Sequence, residues 1–355
     1  MSNGPTDHKK RTAATAYDVA RLAGVSQSAV SRTFTTGASV SPETRKKVEM
    51  AAVALGYRPN LMARSLITRR SGIVGVAMGY LDNQFYTALL QALAARLREA
   101  DLRILLFTAD PDNADPVLEE VMHYQLDALI LASTHLSSRL AEQCAKAGVP
   151  VLLINRKSNT ESVSSITGDN AEGARAIAAF LVAGGHQRFA YMAGTENSST
   201  NREREDSFGA YLIRAGFGPP IRAVGSYTVE GARDAARSLL SARDRPDAIF
   251  CGNDQMALAT IEVARSEFGL EIGKTVSVVG FDDVPLAAWQ SFSLTTRSQP
   301  VAAMADTAVE TLQHLLGGHA EPVHKIVPGQ LIVRSSARIP SHGIRMIDGR
   351  QIWEG

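Results

Sequence analysis

Short apolar runs alternate with helical stretches beyond residue 71, and this alternation limits the possible folds more than any other feature. The runs are GIVGVAM, RILLF, DALIL, VPVLLIN, RFAYMAG, PDAIFCGN and VSVVGFDD. Short buried strands separated by helices predict parallel sheets with helices on both faces. The strands are too many for one sheet, so we expect a second sheet to begin near Gly168 to Gly173.

The length of 355 residues exceeds one ordinary core and predicts two or three domains. No apolar run is long enough to cross a membrane, and no apolar stretch follows the first basic residues as in a secretory signal. Cys144 and Cys251 are the only cysteines, which argues against a disulfide framework. We therefore expect a cytoplasmic protein with no membrane contact.

The charge of the chain is unevenly distributed. Residues 1–70 contain 12 Lys and Arg against 4 Asp and Glu, whereas the remainder contains 25 against 32. A basic head on an acidic body indicates that the head meets a polyanion, although a solvated basic tail would give the same count.

Three short helices are predicted in this head, each preceded by a capping hydroxyl. They cover residues 16–23 after Thr15, 27–34 after Ser26, and 42–55 after Ser41. Gly24 and Gly56 can supply the left-handed turns that end the first and third helices. The inward faces are expected to contain Val19, Ala20, Leu22, Ala23, Ala29, Val30, Val48, Ala51, Ala52 and Leu55.

A glycine-containing turn between the first two helices is typical of a helix-turn-helix. The second helix would then lie in the DNA major groove and present Gln27, Ser28, Ala29 and Arg32. Many small helical domains bind no DNA, but the basic charge favours DNA here. In residues 57–72, Asn60 can cap a short basic helix to about Thr68, which is either a plain linker or a segment that folds only on DNA.

Polar residues follow several of the predicted strands, where ligands bind in parallel sheets. They are Asp82, Asn83, Asn155, Arg156, Asn253, Asp254, Asp282 and Asp283. We expect Asp283 to be structural, because adjacent side chains rarely point into one pocket.

Six ordered blocks resemble the lactose-repressor (LacI/GalR) family of bacterial transcription regulators. YDVARLAGVSQSAVSR is close to the family signature, and GYRPN is similar to the start of its hinge. The core blocks are GDNAEGA, GHQRFAYMAG, CGNDQMALA and VSVVGFDDVP. The resemblance implies an α/β protein with an all-α helix-turn-helix head and a two-lobed, periplasmic-binding-protein-like core of doubly wound parallel sheets.

The resemblance also implies the domain divisions. They are a disordered tail at 1–14, the helix-turn-helix domain at 15–58, a hinge at 59–71, a ligand-binding core at 72–340 and a C-terminal tail at 341–355. The first lobe would take about 72–168 and 298–327, and the second about 169–297 and 328–340. A homodimer is implied that binds a pseudo-palindromic double-stranded operator and responds to a small effector, which is a sugar, a sugar acid or a related metabolite.

Individual roles are carried over by position. The implied DNA contacts are Thr15, Tyr17, Ser26, Gln27, Ser28, Ala29, Ser31, Arg32, Tyr57, Asn60, Ala63 and Leu66. Leu66 matches a leucine that wedges into the minor groove. The implied ligand contacts are Phe85, Asn155, Arg204, Tyr227, Asn253 and Asp282.

The chain departs from the family pattern in three places. Thr35 replaces the usual Asn, so the sequence leaves open whether the phosphate contact that this Asn makes in the family is made here. Asn155 stands where many sugar-binding members have Asp, and an amide can donate as well as accept. No leucine heptads follow Arg338, so the tetramerising tail of one branch is not expected.

Two other classes of protein are weighed against this interpretation. A sugar or nucleotide enzyme is disfavoured because no phosphate-binding G-x-x-x-x-G-K-[ST] motif occurs and no His or Asp arrangement accompanies the serines. A secreted binding protein would not need a basic head. The spacing of His314, His319 and His324 is more typical of loop histidines than of a metal site. We therefore expect no catalysis, cofactor or metal.

Overall fold

The chain separates into two units, Met1–Ser71 and Gly72–Gly355, each with its own hydrophobic core. The computed structural model describes residues 14–34, 38–58, 70–108, 120–121, 123–132, 143–144, 146–158, 162–319 and 321–355. The predicted contacts Asn60, Ala63 and Leu66 lie outside the described residues, and so does Thr35.

The first unit contains the three predicted helices. They are α1 (Ala16–Ala23), α2 (Gln27–Thr33) and α3 (Pro42–Leu55). The side chains of Thr15, Ser26 and Ser41 each accept a hydrogen bond from a backbone amide in the first turn, as the sequence predicts. Gly24 and Gly56 end α1 and α3 with φ of 67° and 63°, in the left-handed region.

The core between these helices is smaller than the sequence predicts. Its buried members are Val19, Ala20, Val30, Val48, Ala51 and Ala52. The prediction was wrong for Leu22 and Leu55, which are 57% and 38% exposed. Leu22 follows Ala20 by two residues and is turned about 200° away from it around the helix. Leu55 shares the face of Ala51 and Ala52 but is the last residue of α3, next to the helix end at Gly56.

The second unit begins with a six-stranded sheet in the described part of the chain, and all of its neighbouring pairs are parallel. Its strands are β1 (Ile73–Met78), β2 (Arg103–Thr108), β3 (Ala128–Ala132), β4 (Val151–Ile154), β5 (Ser164–Gly168) and β11 (His324–Val327). Their order across the sheet is β11-β5-β4-β3-β1-β2. The central strands are buried almost throughout, which explains their uninterrupted apolar sequences.

A second, eight-stranded sheet follows in the described residues. Its strands are β6 (Phe189–Ala193), β7 (Ile221–Val224), β8 (Ala248–Cys251), β9 (Ser277–Asp282), β10 (Thr295–Ser298), β12 (Leu331–Ile332), β13 (Ile344–Ile347) and β14 (Arg350–Trp353). Their order is β13-β14-β12-β10-β9-β8-β6-β7. The five strands from β10 to β7 are parallel, and the remaining three join them antiparallel.

Helices cover both sheets and pack in pairs. They are α4 (Gln84–Glu99), α5 (Asn170–Ala183), α6 (Ser199–Arg214), α7 (Val229–Ser241), α8 (Asp254–Ser266) and α9 (Val301–Leu316), with a short 3₁₀ helix at Pro285–Ala288. The packed pairs are α5 with α6, α7 with α8, and α4 with α9. None of the described helices has the length and apolar character needed to cross a membrane.

The last residues form structure that the sequence interpretation missed. Residues 341–355, treated there as a tail, contain the hairpin of β13 and β14. Its turn residues Asp348 and Gly349 have φ of 49° and 75°, which a two-residue hairpin loop of Asp-Gly favours. The signal was present, since this Asp-Gly pair separates IRMI from RQIW. The hairpin buries Trp353 against the second sheet.

The chain crosses between the sheets after β5, after β10 and after β11. The crossing segments pack against one another closely. A side chain at Gly168 would collide with Gln299, and one at Gly329 would collide with the carbonyl of Ser298. Both sheets therefore place residues from their strand ends around a common cavity.

Candidate functional site

A cavity lies between the two lobes of the second unit. Its described wall consists of Tyr80, Asn83, Phe85, Tyr86, Asn155, Arg156, Thr195, Ser198, Thr200, Arg204, Tyr227, Asn253 and Asp282. All six residues that the sequence assigned to ligand contacts are therefore brought together in one wall, although they come from both lobes.

Three helices begin at this wall. Asn83, Ser198 and Asn253 are the N-cap residues of α4, α6 and α8, and all three line the cavity. The Asn253 side-chain carbonyl accepts a hydrogen bond of 3.0 Å from the Met256 amide, which leaves its amide nitrogen for other partners. Helix N-termini carry partial positive charge, so the cavity favours electronegative groups.

Arg204 is held rigidly in the wall. Its Nε donates to Asn170 Oδ1 at 2.9 Å, and its Nη1 donates to the Gly252 carbonyl at 2.5 Å. The guanidinium also lies over the Phe281 ring, 3.7 Å from the ring centroid. Its Nη2 is buried and has no hydrogen-bond partner among the described residues. One donor of a fixed guanidinium is therefore available to a ligand.

Asp282 faces Arg204 from the end of β9. Its Oδ1 accepts a hydrogen bond of 2.7 Å from Gln299 Nε2. Burial raises the pKa of Asp282 to about 6, while the positive charge of Arg204 and the Gln299 hydrogen bond oppose the rise. The backbone of Asp282 has a φ of 135°, which is strained for a residue with a side chain. The carboxylate is thus placed where it can accept hydrogen bonds from hydroxyl groups.

The two neighbouring aspartates have other partners. Asp283 pairs with Arg334 at 2.7 Å and with Arg350 at 3.4 Å, and it is not part of the cavity wall. Asp254 is fully buried and accepts from the Thr296 hydroxyl at 2.5 Å. Burial and the nearby carboxylate of Asp282 raise the pKa of Asp254 to about 8. Both residues stabilise the strand ends around the site.

An aromatic and amide wall faces this charged wall from the first lobe. Asn155 Nδ2 donates to Tyr86 Oη at 3.0 Å, whereas the buried Asn155 Oδ1 has no hydrogen-bond partner in the described part of the chain. The Tyr86 ring lies 5.1 Å from Phe85 and 6.4 Å from Tyr80, centroid to centroid. Apolar ring faces and one unpartnered acceptor suit a ligand with both C–H and O–H groups.

Tyr227 covers the opposite side of the cavity. Its φ of 59° lies in the left-handed region, as does the φ of 54° at Ser226. Its ring lies so close to Gly194 that any side chain there would collide with it. The buried Tyr227 hydroxyl also has no hydrogen-bond partner among the described residues. Strained backbone that aims a polar group into a cavity is typical of binding sites.

Sequence reasoning missed five residues of the wall. They are Tyr80, Tyr86, Thr195, Ser198 and Thr200. Asn83 and Arg156 were among the polar residues expected at a ligand site, because each follows a predicted strand. Arg202 is absent from the described wall, and its Nη1 donates to the Glu196 carbonyl at 3.4 Å.

The lobes contact each other on both sides of the cavity. On one side, the Lys157 amide donates to Ser199 Oγ at 3.0 Å, and the Lys157 ammonium pairs with Glu203. On the other side, Gln255 Nε2 donates to Asp82 Oδ2 at 3.3 Å. These three contacts are exposed, and a part-buried hydrogen bond of 3.4 Å from the Leu286 amide to Gln84 Oε1 joins the lobes beside them.

The head presents the predicted reading surface on α2. Gln27, Ser28 and Arg32 are exposed, and Arg32 Nε donates to the Ser28 carbonyl at 3.3 Å. Four more of the predicted DNA contacts are exposed, namely Thr15, Tyr17, Ser26 and Ser31. Ala29 and Tyr57 are half-buried. The Tyr57 ring packs against Phe34, 6.0 Å between centroids. The described surface of α2 is thus polar and accessible.

Two family comparisons match the two units separately. Residues 15–60 match the bacterial regulatory proteins of the lacI family, and residues 178–337 match a periplasmic binding protein-like domain. The chain is 31% identical to catabolite control protein A of Priestia megaterium, over 84% of this chain and 91% of that protein. It is 32% identical to the HTH-type transcriptional regulator GalS of Salmonella typhimurium, over 83% and 88% of the respective chains.

Solved structures resemble the chain over most of its length. The lac repressor dimer bound to operator and the anti-inducer ONPF is 29% identical, with a TM-score of 0.82 over 92% of this chain and 99% of that one. The transcriptional regulator CelR in complex with cellobiose is 29% identical, with a TM-score of 0.70 over 91% and 100%. The chain therefore belongs to the lacI family of bacterial regulatory proteins.

Proposed function

We propose that this chain is a transcription regulator that binds operator DNA as a homodimer and changes its DNA affinity when a sugar or sugar acid enters the cavity. The observation that carries this proposal is the cavity itself, where buried polar atoms that have no hydrogen-bond partner among the described residues converge from both lobes. The same chain carries a helix-turn-helix with an exposed reading helix. The similar lac repressor structure contains both an operator and a small ligand.

The proposed DNA contacts follow from the exposed side of α2. Gln27 can form a bidentate contact with adenine, and the Ala29 methyl can contact the methyl of thymine. Arg32, at the end of the same helix, would bind phosphate. Thr15 and Ser26 already cap helices, so they would contact the backbone of DNA while holding the reading helix in register.

The proposed ligand contacts follow from the unpartnered atoms of the wall. Arg204 Nη2 and the Tyr227 hydroxyl can donate, whereas Asn155 Oδ1 and Asp282 can accept. A buried polar group without a partner costs about 1–3 kcal/mol, and a ligand hydroxyl would remove that cost. A polyhydroxyl ligand matches this alternation of donors and acceptors better than an apolar one does.

The proposed dimer surface is apolar and lies in the second unit. A groove there is lined in part by Leu258, Leu286 and Phe292. Trp289, between these positions in the chain, is 60% exposed. A second copy of this chain is the occupant we infer, because the similar lac repressor is a dimer. In such a dimer, a change in the relative orientation of the two lobes would alter the spacing between the heads of the two protomers.

Binding-site selection from random duplex DNA, followed by fluorescence anisotropy on the selected operator, tests the DNA arm. We expect affinity to fall by about 10³–10⁵ between 50 and 200 mM salt if six to ten phosphates are contacted. Arg32→Ala should weaken binding, whereas Arg214→Ala, an exposed arginine of the second unit, should not. A nearly flat salt dependence would contradict the proposed DNA role.

A thermal-shift screen of sugars and sugar acids tests the ligand arm. A ligand at 100 times its Kd should add about 2.7 kcal/mol of stability. Asp282→Ala should retain operator binding but lose the response, whereas Asp244→Ala, an exposed acid outside the cavity wall, should retain both. Recovering the effector unchanged after incubation would distinguish regulation from catalysis. A normal response in Asp282→Ala would show that the effector binds elsewhere.

A further inference from the structure

The charges in the cavity wall do not balance. Among the described lining residues, Arg156 and Arg204 are cationic and Asp282 is anionic, which leaves one positive charge in excess when all three are ionised. Arg204 and Asp282 stabilise each other's charge, as the lowering effect of Arg204 on the pKa of Asp282 indicates. Arg156 is therefore the cation without a counter-ion among the described residues.

The surroundings of Arg156 make this excess charge costly. Its side chain is buried, with the residue 8% exposed, and Nη1 has no hydrogen-bond partner in the described part of the chain. The groups that act electrostatically on its guanidinium are the phenols of Tyr80, Tyr86 and Tyr227 and a second cation, Arg202. Burial lowers the pKa of Arg156, because the charged form has lost its water. A buried cation is stable only with a partner.

The residue beside Arg156 supplies no compensating charge. Asn155 is neutral, and its amide already donates to Tyr86 Oη. The N-termini of α4, α6 and α8 add partial positive charge around the same space. Every one of these features favours a negatively charged group in the cavity.

We propose that the effector is a sugar acid, a polyhydroxyl compound with one carboxylate that pairs with Arg156. This inference rests on the proposed function and specifies its ligand. Asp282 and Asn155 would take hydroxyl groups, and Arg204 Nη2 would donate to the ring or chain oxygens. One carboxylate neutralises the excess charge of the wall, whereas a phosphate, at about −1.5 to −2, would exceed it.

Isothermal calorimetry on the full-length protein tests the proposal with matched probe pairs. The pairs are gluconate with glucose and galacturonate with galactose, and glucose 6-phosphate is the phosphate probe. We expect at least one acid to bind about tenfold or more tightly than its neutral partner and than the phosphate. Arg156→Gln should abolish this preference, whereas Arg202→Gln, outside the wall, should change it less than about twofold.

A second experiment measures the Tm of two variants without ligand. Arg156→Gln removes the unpaired cation and Asn155→Asp gives it a counter-ion, so both should raise the Tm of the unliganded protein. Asn155→Asp should also weaken binding of the acid by about tenfold or more, because the new carboxylate competes for Arg156. A lower Tm in both variants would show that Arg156 already has a partner and would overturn the proposal.

Three further outcomes would also overturn it. They are equal or tighter binding of the neutral partner, preference for the phosphate, and failure of every acid to bind. The proposed function is judged separately by operator binding and by the response to whichever probe binds. A neutral sugar that changes operator affinity would leave the regulator intact and exclude the sugar acid.

Discussion

The C-terminal hairpin gives a sharp test of what stabilises the second lobe, through the substitution Trp353→Ala. Trp353 is 5% exposed and meets Phe180 edge to face, with ring centroids 5.5 Å apart at 78°. Its ring also fills the space beside Gly343 and Gly355, where a side chain would collide with it. The substitution would therefore leave a cavity between the hairpin and α5.

The expected loss can be worked out from these contacts. Replacing a buried Trp by Ala costs about 3–5 kcal/mol. The Trp353 indole nitrogen is buried and has no hydrogen-bond partner among the described residues. Removing it therefore offsets about 1 kcal/mol of the lost stability. The net loss should be about 2–4 kcal/mol, which corresponds to a Tm lower by about 4–8 °C at roughly 2 °C per kcal/mol for a domain of this size.

Differential scanning calorimetry of the full chain measures this shift. Met346→Ala is the matched control, because Met346 lies on the same hairpin but is 65% exposed and should change stability by less than about 0.5 kcal/mol. Trp353→Phe keeps a ring and removes the unpaired N–H, so it should lose less than about 1.5 kcal/mol. An unchanged Tm in Trp353→Ala, or an equal loss in Met346→Ala, would refute the packing argument.

Three other predictions concern the head, the buried acid and the pocket. Gln27→Ala should relax base preference at one symmetric operator position, at about 1–3 kcal/mol per half-site, and an unchanged profile in binding-site selection would remove Gln27 from base reading. Because burial and Asp282 raise the pKa of Asp254 to about 8, the folded protein holds a proton that the unfolded chain releases. The free energy of unfolding should then fall as pH rises from about 4 to about 8. Urea unfolding measured at a series of pH values should show a shallower fall for Asp254→Asn than for the unchanged protein. An equal fall in the two proteins would contradict the raised pKa of Asp254. Gly194→Ala should displace the Tyr227 ring and abolish the thermal shift given by the effector while operator affinity without effector is retained; a normal shift would show that the ring position is unimportant for binding.

Local features of the sequence predicted local structure well. The hydroxyls before α1, α2 and α3 cap those helices as predicted, because each cap depends on two residues only three positions apart. The seven apolar runs all contain observed strands, since a strand buried on both faces needs apolar residues throughout. The strand β5 was missed because its sequence, SSITG, is largely polar, yet all five residues are buried. Ser165 there bonds to His324 of the neighbouring strand, a partner that only the sheet order provides.

The site was predicted only in part. The six ligand positions came from resemblance to a family, and the structure places them in one wall without testing the role of each. Arg156 is an example of a residue whose environment the sequence pattern does not predict. Its position after a strand was visible, but its burial and lack of a counter-ion depend on which side chains the other lobe brings near it.

The sequence by itself determined the two-part organisation, the helix-turn-helix with its capped helices, and the alternation that requires doubly wound sheets. These follow from spacing within a few residues and from burial on one or both faces of an element. The tertiary structure alone decided that the hairpin of β13 and β14 completes the second sheet, that Arg334 is a partner of Asp283, and that the described wall carries excess positive charge. Those outcomes depend on contacts between segments far apart in the chain, and burial and electrostatic energies are set by such contacts rather than by sequence neighbours.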